Sequence, residues 1–230
     1  MGPLLPRQFP DPDPAPGPDL LSLQDCIAPL VWAVPLGDDL PAGWEAVLSP
    51  DERGRAAAFG NAEGKARYVA TRVALRRILG GLLGLAPEAV SLVLAPGGKP
   101  VLADGALEFN HAHTDGLALV AAAPAGRPVG IDVEKRGRHA DFRAVAARFF
   151  TPGERIFLEA EETEERFLAL WSRKEAVLKA AGTGLAGGLD TFSVADVDGL
   201  FDGVVFGGRG HVLRAVALPH GYVGAVALRN

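Results

Sequence analysis

The feature that most constrains this chain is a change of apolar period that happens twice along it. Residues 62–84, AEGKARYVATRVALRRILGGLLG, place Val69, Val73, Leu75, Ile78 and Leu79 on a helical repeat with arginines opposite. From Ser91 the period shortens to the strand-like runs SLVLAP, ALEFNH, LALVAAA and VGIDVE, separated by Gly, Pro and Asp turns. Helical spacing returns in DFRAVAARFF (141–150), TPGERIFLEA (151–160) and EERFLALWSRKEAVLKAAG (164–182). The runs FSVADV, GVVFG, HVLRAVAL and YVGAVALR then read as strands. With the strand APLVWAVPL (28–36) and the helical SPDERGRAAAF in front, the order is strand, helices, strands, given twice. That order implies an α+β fold of two similar lobes, a pseudo-dimer in which each mostly antiparallel sheet carries helices on one face.

The lobes are expected at 21–127 and 128–230, divided near APAGRP, with a flexible proline-rich tail at 1–20 that forms neither helix nor ladder. Local signals fix several helix ends. Ser49 and Thr151 are N-caps followed by Pro50 and Pro152, Glu154 completes a capping box, and Gly182 ends the last helix. The Gly80-Gly81 pair is expected to fray or end the first long helix.

Composition narrows the function. The chain is 48% hydrophobic and 22% charged with mean hydropathy +0.16, which suits a soluble protein with a real core. A net charge of −5 and a pI near 5.6 argue against a general nucleic-acid binder. No run approaches the roughly 20 apolar residues of a membrane span, and the N-terminus lacks a signal-peptide core. Cys26 stands alone, so an internal disulfide and a four-cysteine zinc site are excluded, and a cytoplasmic location is expected.

Several short constellations carry possible chemistry. Asp132 and Glu134 in VGIDVE leave one face of a strand, either as a strand end entering a wet loop or as half of an oxygen-rich Mg²⁺ site. In WSRKEAVLKAAG, positions 171, 175 and 179 stack on one helical stripe with Lys174 beside them. Glu175 and Lys179 could be a surface ion pair, but Trp171 on the same stripe implies a covered face. PGGKP (96–100) reads as a turn holding Lys99, without the G-x-x-x-x-G-K-[ST] pattern. FNHAHTDG places His111 and His113 two apart, weak evidence for zinc and compatible with one phosphate contact.

Taken in order, G-K-P, F-N-x-x-H, G-I-D-V-E, F-F-T-x-x-E and W-x-x-K-E-A-x-x-K-A-x-G-x-G-L closely resemble the 4′-phosphopantetheinyl transferases, from about Ser49 to Val194. Within that family the chain resembles the two-lobed, monomeric type that activates carrier domains of peptide and polyketide synthetases. The resemblance implies Mg²⁺-dependent transfer of 4′-phosphopantetheine from coenzyme A to a serine of an apo carrier protein, releasing adenosine 3′,5′-bisphosphate. It implies Asp132, Glu134 and Glu175 as metal ligands, and Lys174 and Lys179 as cations near the coenzyme phosphates. Gly98, Lys99 and Pro100 match the loop at the adenylate end, and His113, followed by Thr114, matches the 3′-phosphate contact. Arg55 and Arg67 fall where the first lobe supplies basic groups. Glu175, directly or through a metal-bound water, is the candidate base, with Lys179 beside it and Glu154 as runner-up. Two positions depart from the family: Ala112 removes a usual serine hydroxyl, and Glu52 stands where a basic residue is common. A silent carrier-binding module and a magnesium-dependent phosphoanhydride hydrolase are the competing readings. Carrier docking is expected beside the helix from Thr151, through Phe157, Leu158 and the arginines Arg143 or Arg148.

Overall fold

Alternation along the strands sets the layering. The structure, a computed structural model, describes residues 2–9, 28–37, 39–137 and 141–230. In chain order the strands are β1 (Arg7–Gln8), β2 (Leu30–Pro35), β3 (Leu92–Leu94), β4 (Pro100–Leu102), β5 (Leu107–Thr114), β6 (Leu117–Pro124) and β7 (Val129–Lys135). They continue as β8 (Ala195–Asp196), β9 (Gly199–Leu200), β10 (Gly203–Phe206), β11 (Arg209–Ala215) and β12 (Tyr222–Arg229). The helices are α1 (Pro50–Ala57), α2 (Ala62–Leu83), α3 (Phe142–Phe149), α4 (Pro152–Ala160) and α5 (Glu164–Ala181).

One sheet has the order β1-β2-β6-β5 and a second the order β10-β11-β12-β7. Apart from the parallel pair of β1 and β2, the ladders of both are antiparallel. In the first sheet Trp32, Val34, Ala118, Val120 and Ala122 pack on Ala74, Leu75, Ile78 and Leu79 of α2. The alternate residues Val31, Ala33, Leu119, Ala121 and Ala123 pack instead on Ile131, Val133, Val226 and Leu228 of the second sheet. On its far side that sheet meets α5, where Ala227 and Leu213 join Ala176, Val177 and Ala180. The stack therefore runs helix, sheet, sheet, helix, a mixed α+β architecture. Because β6 is covered on both faces, LALVAAA carries no polar alternation.

The helix ends follow local chemistry. Ser49 and Thr151 each form a full capping box, with Glu52 and Glu154 reaching back to the cap N–H. Gly84 and Gly182 close α2 and α5 in the left-handed conformation.

Four expectations are corrected. The Gly80-Gly81 pair does not end α2, which runs on to Leu83. Gly80 is there for a close approach, since a Cβ on it would lie 2.7 Å from the Leu85 carbonyl oxygen. PGGKP is a turn, but its last residue already starts β4, which pairs with β3. FSVADV yields only Ala195–Asp196 as strand. The start of the proline-rich tail does join ladders, because Leu4, Arg7, Gln8 and Phe9 between the prolines keep their N–H groups: Phe9 N donates to Ala33 O at 3.0 Å and Leu4 N to Ala215 O at 2.8 Å. Residues 10–20 of that tail and Cys26 lie outside the described residues.

Candidate active site

Gly130 is where β7 meets α5. A Cβ on it would stand 2.0 Å from the Ala176 carbonyl oxygen and 2.4 Å from the Ala180 nitrogen, so only glycine lets the helix lie this close. The approach brings the stripe of Trp171, Glu175 and Lys179, half-buried on a helix whose neighbouring positions are fully buried, onto Asp132 and Glu134. Trp171 stacks on Phe167 with centroids 6.0 Å apart, which ties that end of the stripe to the core. Lys179 Nζ donates to Asp132 Oδ1 at 2.6 Å, so its ammonium serves the strand carboxylate.

The electrostatics of this group are strained. Burial pushes the Asp132 carboxyl above its ordinary range, against the opposing pull of Lys179. Its Oδ2 is buried without a hydrogen-bond partner. Burial also raises Glu175, with Asp132 and Glu134 adding to the rise and Lys179 opposing it. Three carboxylates are thus within electrostatic reach of one another, though among the described residues no three ligating side chains stand close enough to hold a metal ion as placed. The donor chemistry nonetheless fits Mg²⁺: all hard oxygens, with one orphaned on Asp132.

Glu134 also lines a cleft of 920 Å³ between this group and α2. Arg55, Arg67, Gly98, Pro100, His113 and Thr114 line the same cleft. Arg67 is held by Asp115 at 2.5 Å and by Glu63, and Tyr222 Oη fixes Asp115 by donating to its carbonyl oxygen at 2.9 Å. Phe59, Gly64, Tyr68, Thr71 and Arg72 also line it and were not singled out from sequence. The last four share one helical stripe of α2 with Arg67. The spacing i, i+3, i+4, i+7, i+8 was legible, but its arginines read as a solvated face. His111 lines the cleft as well.

Other sequence-derived roles are corrected. Lys174 does not face the cleft: it is fully buried, 2.9 Å from Glu154 Oε1, and donates to Leu189 O at 2.6 Å and to Phe192 O. Glu154 is equally buried and accepts from Thr151 N and Val194 N, both at 2.8 Å, so it is a brace between segments and has no access to a substrate proton. Lys99 donates to the carbonyl oxygens of Val129 and Lys179, both at 3.2 Å, tying the β3–β4 turn to β7 and α5. Glu52 is a buried anchor that accepts from Arg72 Nε at 2.7 Å and Arg76 Nε at 2.6 Å. Ala112 sits in the apolar layer between the sheets, on the face of β5 opposite His111 and His113. Leu158 is buried too, whereas Ile156 beside it is 51% exposed.

A family model described as the 4′-phosphopantetheinyl transferase superfamily matches residues 128–226. The 4′-phosphopantetheinyl transferase HetI of Nostoc is 39% identical over 180 residues, 74% of this chain and 74% of its own. A 4′-phosphopantetheinyl transferase of Bacillus subtilis is 32% identical, with 84% of this chain and 82% of its own covered. The chain belongs to the 4′-phosphopantetheinyl transferase superfamily. Its members are transferases, so this chain is one too, and the match spans β7, α5 and most of β12, the elements that carry Asp132, Glu134, Glu175 and Lys179. A further relative, Sfp of Bacillus subtilis strain 168, is 30% identical over 164 residues, 70% of this chain and 71% of its own.

Proposed function

We propose that this transferase moves 4′-phosphopantetheine from coenzyme A to a serine hydroxyl of an apo carrier protein, with Mg²⁺ required and adenosine 3′,5′-bisphosphate released. The observation that carries the reading is the meeting of Asp132 and Glu134 from β7 with Glu175 from α5 at the edge of a cleft lined by Arg55, Arg67 and His113. Residues 21–127 and 128–230 are read as two lobes of a monomer acting in the cytoplasm, with the coenzyme between them.

In this reading the arginines, His113 and Thr114 hold the adenosine 3′-phosphate end, and Gly98 and Pro100 form the adenylate wall. Lys99 acts indirectly by fixing that turn, and Lys179 holds Asp132 in place and adds positive charge beside the diphosphate. Asp132, Glu134 and Glu175 would hold Mg²⁺, which when bound neutralises diphosphate oxygens and orients the leaving group. Glu175 takes the proton of the attacking serine. The serine oxygen bonds to the phosphorus bearing the pantetheine arm, and the bond from that phosphorus to the bridging oxygen breaks. That electron pair leaves on adenosine 3′,5′-bisphosphate. Positioning and charge neutralisation supply most of the acceleration in phosphoryl transfer, so no nucleophile of the protein is needed. Ile156 and the half-buried Phe157 on α4 supply the apolar contacts for the carrier.

Chromatography of reaction mixtures tests the reading. Adenosine 3′,5′-bisphosphate should accumulate only when coenzyme A, Mg²⁺ and an apo carrier are all present. Accumulation without any carrier would make the protein a phosphoanhydride hydrolase instead.

A further inference from the structure

Strand alternation puts His111 and His113 on one face of β5, about 7 Å apart along the strand, and both line the cleft. The first of them has no structural task in view. Its Nδ1 is buried without a hydrogen-bond partner, an arrangement that costs stability unless a ligand completes it. The charges that act on it most are those of Arg72 from α2, Lys179 from α5 and Lys99 from the β3–β4 turn, with His113 from β5 adding to them when protonated, while the carboxylates of Glu134 and Asp115 line the same cleft. Tyr68 and Thr71 line the same cleft. Burial first, and then those four basic groups, hold the imidazole neutral, pushed down to about 3.

We propose that His111 is an anion-contacting residue of the cleft, which grips a phosphate monoester of the ligand together with His113 and takes up a proton as that phosphate enters. The inference rests on the reading of the cleft as a coenzyme A site. It adds a contact at the first unspecified position of F-N-x-x-H, outside the residues that carry the family motif. A phosphate dianion turns the local field from repulsive to attractive for an imidazolium, so proton affinity rises on binding. A protonated imidazole donates from both nitrogens, so whichever one the ring presents to the cleft reaches the phosphate. His113 is also pushed down by burial, Lys179 and Arg67, so it takes up a proton on similar terms and must be separated from His111.

The separation is made by calorimetric titration of adenosine 3′,5′-bisphosphate and of coenzyme A at pH 7, in buffers of different ionisation enthalpy. Wild-type protein, His111→Gln and His113→Gln are compared, and the ring Cε1–H resonance of His111 is followed in the wild type, which needs no variant to fold. At saturation the His111 resonance should move to the imidazolium position. His111→Gln should take up fewer protons and bind coenzyme A about tenfold more weakly, the loss expected for one charge-assisted hydrogen bond. An unmoved His111 resonance in ligand-saturated wild type, or unchanged affinity and proton uptake in His111→Gln, overturns the proposal and leaves the coenzyme reading intact. Wild-type protein that binds neither ligand overturns both.

Discussion

At the scale of single residues, Asp132 sits where its own charge is disfavoured. Burial raises its proton affinity in the folded protein above the unfolded value, despite Lys179. The folded state therefore binds that proton more readily, and this group makes folding more favourable as pH falls through the folded value toward the unfolded one. At neutral pH the charge is a net cost, the kind of strain that functional sites keep. Asp132→Asn should therefore leave the melting temperature unchanged or slightly raised, while lowering kcat/KM for transfer by at least about 10²-fold, as for loss of a positioned electrostatic group. Thermal melts and steady-state kinetics on the same preparation check both halves of the statement. A large fall in melting temperature would make Asp132 a structural residue.

Elements fail or hold through a few contacts. Gly130→Ala should push α5 off β7, because its Cβ has no room beside Ala176 and Ala180. We expect destabilisation of about 1–3 kcal/mol, as for overpacking, and a loss of transfer larger than that stability change explains. Denaturant melts with parallel activity assays measure the two. Glu52 tests the other wall. Burial alone would raise its pKa, but the Ser49 N–H, Arg72 and Arg76 together hold the carboxyl below the ordinary value of 4.5. That stabilisation is complete above the unfolded value and is lost as pH falls through the folded one. Glu52→Gln should cost about 3 kcal/mol, since it leaves Arg76 buried without its counter-charge, and should flatten the acid limb of stability below pH 4.5. Urea melts between pH 3 and 7 would show it.

The elements also show why some of the site was legible and some was not. Caps at Ser49 and Thr151 obey short-range rules of spacing, which sequence carries, whereas joining Asp132 and Glu134 of β7 to Glu175 of α5 was implied only by the family resemblance. Lys174 was misplaced because it adjoins Glu175 in sequence, while successive helical residues point about 100° apart; that turn sends it inward to Glu154. Glu154 itself was legible twice over, as a cap and as a candidate base, and only burial decides between them. The α2 stripe of Arg67, Tyr68, Thr71 and Arg72 has the same spacing as a solvated face, so its role depends on what the turn at Gly98 and Pro100 places opposite it.

For the whole molecule, function depends on ties between the sheets. Asn110 Oδ1 accepts from Ile131 N at 3.0 Å, Lys99 bridges to Val129 and Lys179, and Tyr222 reaches Asp115, which holds Arg67. Tyr222→Phe removes one neutral hydrogen bond, worth about 1 kcal/mol. Because that bond fixes the residue holding Arg67, it should raise KM for coenzyme A more than it lowers kcat. An unchanged KM would show that Arg67 keeps its place without this tie.

The account stands or falls on transfer itself, and intact-mass spectrometry of an apo carrier domain measures it most directly. With wild-type protein, coenzyme A and Mg²⁺, the carrier should gain the mass of one phosphopantetheine group on its serine, and the gain should vanish with Glu175→Gln or with a chelator. A carrier whose mass stays unchanged across a panel of apo carrier domains, or a gain undiminished in Glu175→Gln, would contradict it.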